Sequence, residues 1–137
     1  MRLLPDTNTL NYLLKRLPPV VERFQEATEK KAEFLLSSVT HYELTRYLDL
    51  KGARKVMEAY ERITGSWRRC NVDFEGWDEA ARLWANRHRL GRSISDLDLL
   101  LATLARREGA VLITSNVRHF VDLGISIEDW MAPMGPR

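Results

Sequence analysis

Leu3-Leu4-Pro5-Asp6-Thr7-Asn8 sets an apolar stub directly against a carboxylate, a hydroxyl and an amide, and the reading of this junction decides the fold. The stub suits a short buried strand, and Pro5, which has no ladder N–H, belongs at the strand's end or beside an unpaired position. In open parallel α/β sheets, ligands bind in the crevice beyond the carboxyl ends of the strands. An aspartate there reads as a metal or substrate group. It reads equally as the N-cap of a helix carrying Leu10 and Leu13.

Downstream, the same alternation of strand and helix repeats. Thr9 to Arg16 has helical spacing, Pro18-Pro19 interrupts it, and Val20 to Lys31 resumes it with Val20, Val21, Phe24 and Ala27 on one side. Phe34 to Ser38 is a second apolar run, followed by helical segments at Val39 to Leu48, which Thr40 could cap, and at Ala53 to Ile63. Arg69 to Val72 reads as a third strand, and Glu75 to Leu90 as a long helix stopped by Gly91. Ser95 to Glu108 is the most apolar helix, closed by Gly109. Ala110 to Ile113 is a fourth strand, Asn116 to Val121 a short helix, and Ile125 to Ile127 a fifth strand before a Pro/Gly tail expected to fray. Strands alternating with helices predict a mainly parallel α/β sheet covered on both faces.

Composition bounds the rest. With 137 residues, 45% hydrophobic and 29% charged, the chain suits one compact domain, 1–137, and its seven Gly and five Pro exclude fibrous and low-complexity classes. Formal charge is only +2, yet arginines gather at 62, 68 and 69, at 82, 87, 89 and 92, and at 106 and 107, so basic faces can coexist with an acidic pocket. The single cysteine, Cys70, excludes an internal disulfide and a Cys-rich zinc site, and beside Val72 it reads as strand core. No run approaches the roughly 20 apolar residues of a membrane span, and the N-terminus lacks the pattern of a secretory signal. A cytoplasmic location is expected.

Four oxygen-bearing side chains share one kind of place. Asp6, Glu43, Asp98 and Asn116 each lie at or just beyond a strand, or on the first turns of the helix that follows. Parallel strands would gather them at one edge, where converging carboxylates repel and raise one another's pKa. A cation relieves that repulsion, and hard oxygen donors without Cys or spaced His select Mg²⁺ or Mn²⁺ over zinc. Each residue also has an ordinary reading. Glu43 can be solvated, Asp98 stands in capping-box spacing after Ser95, and Asn116 can open a turn.

The ordered combination carries more than its parts. Leu3 to Asn8, Ser37-Ser38-Val39-Thr40 leading to Glu43, Asp98 to Ala102, Leu112 to Phe120, and the closing Glu128-Asp129-Trp130 together resemble PIN-domain ribonucleases, in particular VapC toxins of toxin–antitoxin pairs. The resemblance implies a three-layer PIN-like fold with about five short strands, and an endoribonuclease that cleaves RNA with Mg²⁺ or Mn²⁺ through an activated water. It makes Asp6, Glu43 and Asp98 the metal-binding acids and matches Asn116 to a fourth position that is often Asp. It also implies a VapB-like antitoxin that blocks the acidic pocket with a basic side chain, and a homodimer, with residues 20 to 31 and 53 to 63 as candidate contact surfaces.

Departures from the family pattern are specific. Asn116 keeps an oxygen but removes a charge, and Pro5 stands where an aliphatic residue is usual. Asp96 could compensate, but residues two apart on a helix do not share a face, so it is expected as an outer ligand through water. Thr7, Asn8, Thr114 and Ser115 are expected to support the acids or face the phosphate, with turn duty as their plain alternative. Arg87, Arg89 and Arg92 flank Gly91 near the Asp98 helix and could guide an RNA backbone. None of His41, His88 and His119 is assigned to catalysis, and Trp67, Trp77, Trp84 and Trp130 are expected in the core.

Rival folds fit less well. A haloacid-dehalogenase-type phosphatase needs a second Asp where the chain has Asn8, and a receiver domain needs paired acids before its first helix. A catalytically silent PIN-like module that binds RNA or protein remains the alternative. Three acids in place argue against it.

Overall fold

The computed structural model describes residues 1–133. The tail residues 134–137, expected to fray, lie outside the described residues. The elements run β1 (Arg2–Pro5), α1 (Thr7–Leu14), α2 (Pro18–Glu29), β2 (Glu33–Ser37), α3 (Ser38–Lys51), α4 (Arg54–Thr64), β3 (Arg68–Cys70), α5 (Phe74–Arg89), α6 (Asp96–Glu108), β4 (Val111–Ile113), α7 (Val117–Phe120) and β5 (Ser126–Glu128). Every predicted element is present, with ends displaced by at most three residues, and no described helix is long and apolar enough to cross a membrane.

All five strands are parallel, in the order β3-β2-β1-β4-β5. The chain builds outward from β1 through β2 to β3 and then returns to place β4 on the other side of β1. Asp6 therefore stands at the point where the strand order reverses, which is where crevices open in such sheets. Pro5 is the last residue of β1, paired in register with Ile113, so its missing N–H falls at the strand end as the sequence predicts.

The period of two along each strand divides the core into two layers. Leu3, Phe34, Leu36 and Ile113 face a cluster made with Leu10, Leu13, Val20, Leu44, Leu48, Tyr60, Trp67 and Trp130, so α1 to α4 cover that side. Leu4, Leu35 and Leu112 face the other cluster, with Leu101, Leu104, Ala105 and Phe120, under α5 to α7. Cys70 joins this second layer, where burial pushes its thiol up to about 11. The apolar faces of α2 and α4, considered from sequence as partner surfaces, pack Val20, Phe24, Met57 and Ile63 on the first layer.

Two tryptophans depart from expectation. Trp67 and Trp130 are buried, but Trp77 and Trp84 are 52% and 44% exposed. Helix α5 carries two stripes at helical spacing, and the inward one is Gly76, Ala80, Leu83 and Arg87. Small residues let α5 pack closely: a Cβ on Gly76 would stand 2.9 Å from Val72 Cγ1 and 3.2 Å from Arg107 Cδ. The bulkier stripe of Trp77 and Trp84 is left outside.

Ion pairs stitch the amino edge of the sheet. Arg68 binds Glu33 and Glu108 at 2.7 Å each, and Arg2 binds Glu33 at 3.2 Å. The carboxyl edge, where Asp6 lies, holds acids instead.

Candidate active site

Asp6 follows β1 in extended conformation and caps α1, its Oδ1 accepting the Thr9 N–H at 2.8 Å. Its own N–H donates to the Ile113 carbonyl at 2.9 Å, extending the β1–β4 pairing by one bond. The cap reading and the acid reading thus describe the same residue. Burial, chiefly, holds the Asp6 carboxyl above its ordinary pKa; bonds from Thr114 and Thr9 oppose the shift, and the charge of Asp98 adds to it.

Asp98 is the third residue of α6. Its amide donates to the Ser95 hydroxyl at 3.3 Å, which is half of a capping box. Its carboxylate faces a different partner, His119 Nδ1, at 3.1 Å. His119 is the residue that sequence reasoning passed over. It lies one helical turn beyond Asn116 in a four-residue helix, and no local pattern announces its contact with an acid 21 positions earlier.

Glu43 sits half-buried on the second turn of α3 and accepts the Thr7 hydroxyl at 2.7 Å. This bond brings a third acid to the residue beside Asp6. Thr114 is fully buried after β4; its hydroxyl bonds Asp6 and accepts the Asn116 amide at 3.0 Å. Asn116 is exposed, and its side chain makes no cap on α7. Asn8 and Asp96 are exposed on the first turns of α1 and α6.

Two expectations need correction. Ser115 does not offer its hydroxyl to a phosphate, because it donates to Asp129 Oδ1 at 2.8 Å, the same oxygen that accepts the Met131 N–H. Arg87 is not a surface guide for RNA either. It is 6% exposed, and its guanidinium donates to the carbonyls of Arg92 at 2.8 Å, Val121 at 2.7 Å and His119 at 3.4 Å. That fork ties the end of α5 to the loop before Ser95 and to the end of α7, so Arg87 braces the backbone behind Asp98 and His119. Arg92 pairs with Asp122, and Arg89 is exposed and bonds the Asn86 side chain.

Among the described residues, no three His, Cys, Asp or Glu side chains converge as a metal-binding group. A hard divalent cation does not require such a cage. Mg²⁺ commonly takes one or two carboxylates and completes its shell with waters and substrate phosphates. Asp6, a buried carboxylate made harder to ionise by burial and by Asp98, is chemically suited to a nearby cation. The donor set fits.

Five parallel strands with buried acid at the reversal of strand order define a class. The PIN domain model matches residues 3–125, and the chain belongs to the PIN-domain family. Within it, the chain is 31% identical to the tRNA(fMet)-specific endonuclease VapC of Salmonella typhimurium, over 95% of this chain and 98% of that one. Among solved structures, DNA-bound VapBC from Salmonella typhimurium matches with a TM-score of 0.83 at 26% identity, covering 95% of this chain and 98% of that chain. VapBC2 from Rickettsia felis, bound to a promoter DNA fragment, matches with a TM-score of 0.85 at 20% identity, covering 95% of this chain and 99% of that chain. At that identity the likeness concerns the fold.

Proposed function

We propose that this chain is a VapC-type toxin that cleaves RNA endonucleolytically with a divalent metal, Mg²⁺ or Mn²⁺. The carrying observation is Asp6, a buried acid at the reversal of strand order whose ionisation Asp98 opposes. An uncompensated carboxylate in that position costs stability unless a cation joins it. The endonuclease named among its relatives supports the same reading.

Asp6, Asp98 and Glu43 would hold the metal, with Asp96 outside them through water, and the metal when bound would supply Lewis-acid neutralisation of the charge that builds on the phosphate. Glu43 is fixed through Oε1 by Thr7, leaving Oε2 to accept a proton from the attacking water. That water's oxygen forms the new bond to phosphorus as the bond to the leaving ribose oxygen breaks, and the leaving oxygen takes up a proton from solvent. No protein nucleophile is needed. Thr114 and Thr9 orient the Asp6 carboxylate, His119 orients that of Asp98, and the Asn116 side-chain carboxamide, which makes no cap on α7, would bond a substrate oxygen. As partners we propose an RNA substrate, a VapB-like antitoxin that covers the acidic edge with a basic side chain, and a second copy of the chain. Its place of action is the cytoplasm.

The test is cleavage of single-stranded and transfer RNA by the purified chain. Cutting in Mg²⁺ or Mn²⁺ that stops with chelator, and that Asp6→Asn and Asp98→Asn abolish, supports the proposal. Cutting that survives chelation, or that Asp6→Asn leaves intact, overturns it. Metal-independent RNA binding without cutting by any of these proteins would favour the silent module.

A further inference from the structure

A second polar feature lies on the same edge of the sheet, apart from the acids. A cleft of about 190 Å³ opens between the first turn of α3 and the end of β3, lined by Leu36, Ser37, Ser38, His41, Arg69 and Asn71. Its polar side chains are cationic or neutral, with no carboxylate among the lining residues.

Arg69 and Arg68 are neighbours with opposite situations. Arg68 is held between Glu33 and Glu108, whereas Arg69 is exposed and has no ion-pair partner among the described residues. Its guanidinium keeps its fork available for an anion. His41 is held more tightly. Its Nδ1 lies 2.6 Å from the hydroxyl of Tyr60, which is 2% exposed. Burial, chiefly, raises the Tyr60 pKa, and the hydroxyl and Nδ1 share a single hydrogen bond that holds the imidazole in place. Nε2 is the ring nitrogen that this bond leaves over, on a ring whose orientation is already fixed.

Ser37 is in register with Cys70, and β2 pairs directly with β1, so the cleft lies at the carboxyl end of the strand beside the one that carries Asp6. β3 lies two strands from β1. At about 4.8 Å per strand that separation is roughly 10 Å, within the reach of one extended nucleic-acid strand lying across the edge. Glu43, on the same helix as His41, faces the acids through Thr7. Residues two apart do not share a face, so the start of α3 serves both sites at once.

We propose that Arg69, His41, Ser38 and Asn71 form a subsite for a backbone phosphate of the RNA strand beside the bond being cut. The inference rests on the ribonuclease reading and adds where the strand lies: across β2 and β3 as it leaves the acids. Arg69 supplies the charge, His41 a ring nitrogen held in place by Tyr60, and Ser38 and Asn71 neutral bonds to phosphate or ribose.

Binding of a short labelled single-stranded RNA to the full-length Asp6→Asn protein, measured by anisotropy over a salt series, tests this without cleavage. Arg69→Met should weaken binding about tenfold and lower the slope of log affinity against log salt by about 0.7, the share of one phosphate contact on a single strand. Arg69→Lys should restore the slope with only part of the affinity, since it returns the charge without the fork. His41→Leu should weaken binding several-fold. In the cleaving protein, Arg69→Met should raise KM and spare kcat. Unchanged affinity and slope in Arg69→Met, with the parent protein still cutting RNA, overturns the subsite and leaves the nuclease reading standing. RNA binding that depends on Arg69 without any cutting supports the subsite and removes the nuclease reading, and a parent protein that neither binds nor cuts RNA overturns both. Should Arg69→Met fail to fold by circular dichroism, the His41→Leu and Arg69→Lys measurements decide.

Discussion

Thr7 Oγ1 donates to Glu43 Oε1 at 2.7 Å, joining the first residue of α1 to the second turn of α3. Asp6 caps the same turn of α1, so one helix end positions two acids that lie 37 residues apart in the chain. Thr7→Val should therefore lower the cleavage rate about tenfold, in the range for loss of a group that orients a metal-site carboxylate. The cost in stability should stay near 1 kcal/mol. Thr7→Ser, which keeps the hydroxyl, should retain most activity in the same assay.

Asp6 couples site chemistry to stability with a definite sign. Its folded-state pKa lies above its ordinary value, so the native protein binds that proton more tightly than the unfolded chain. The group's contribution is full below the ordinary carboxylate range and is lost as pH rises through the raised value. In chelator at neutral pH, Asp6→Asn should melt at a higher temperature than the parent, because it removes a buried charge and keeps a good cap. The difference should shrink as pH falls into the range where Asp6 is protonated. Added Mg²⁺ should raise the melting temperature of the parent far more than that of Asp6→Asn. Thermal melts at several pH values, with and without metal, check all three outcomes.

Arg87→Met removes the common donor of three carbonyls. It should cost at least about 2 kcal/mol, read as a lower urea midpoint at unchanged slope. Activity should fall as well, since the braced segments lead to Asp98 and His119. Arg89→Met, at an exposed side chain, should change stability by less than about 0.5 kcal/mol.

Gly109 ends α6 with φ of 60°, and a Cβ there would meet nothing within 4 Å. Gly109→Ala should thus cost about 1 kcal/mol through backbone conformation alone. A loss much larger than this in chemical denaturation would mean that the turn into β4 had moved.

Much of this was legible in the chain because local chemistry and long-range placement agree. An apolar run ending in Asp6, a serine three residues before Asp98, and Gly109 after the last turn of α6 each mark an element end by the bonds its backbone needs. What the sequence hid depends on partners distant along the chain. Arg87 looks like its exposed neighbour Arg89, and only packing shows that carbonyls 32 and 34 residues away occupy its guanidinium. Trp77 and Trp84 make a stripe as regular as the buried one, and the choice between them came from how closely α6 approaches Gly76 and Ala80. The contact of His119 with Asp98 requires α6 and α7 to be docked, and periodicity carries no record of that.

The bond from the Asp6 amide to the Ile113 carbonyl also sets a clock. It cannot form until residue 113 has been translated, and at about 5–20 residues per second the wait after Asp6 is added is on the order of ten seconds. Throughout that interval β1 lacks β4, at first lacks β2 as well, and for most of it Asp98 has not been made. A chain that stops before β4 therefore lacks both the bond and the strand that hold Asp6 at the reversal of strand order.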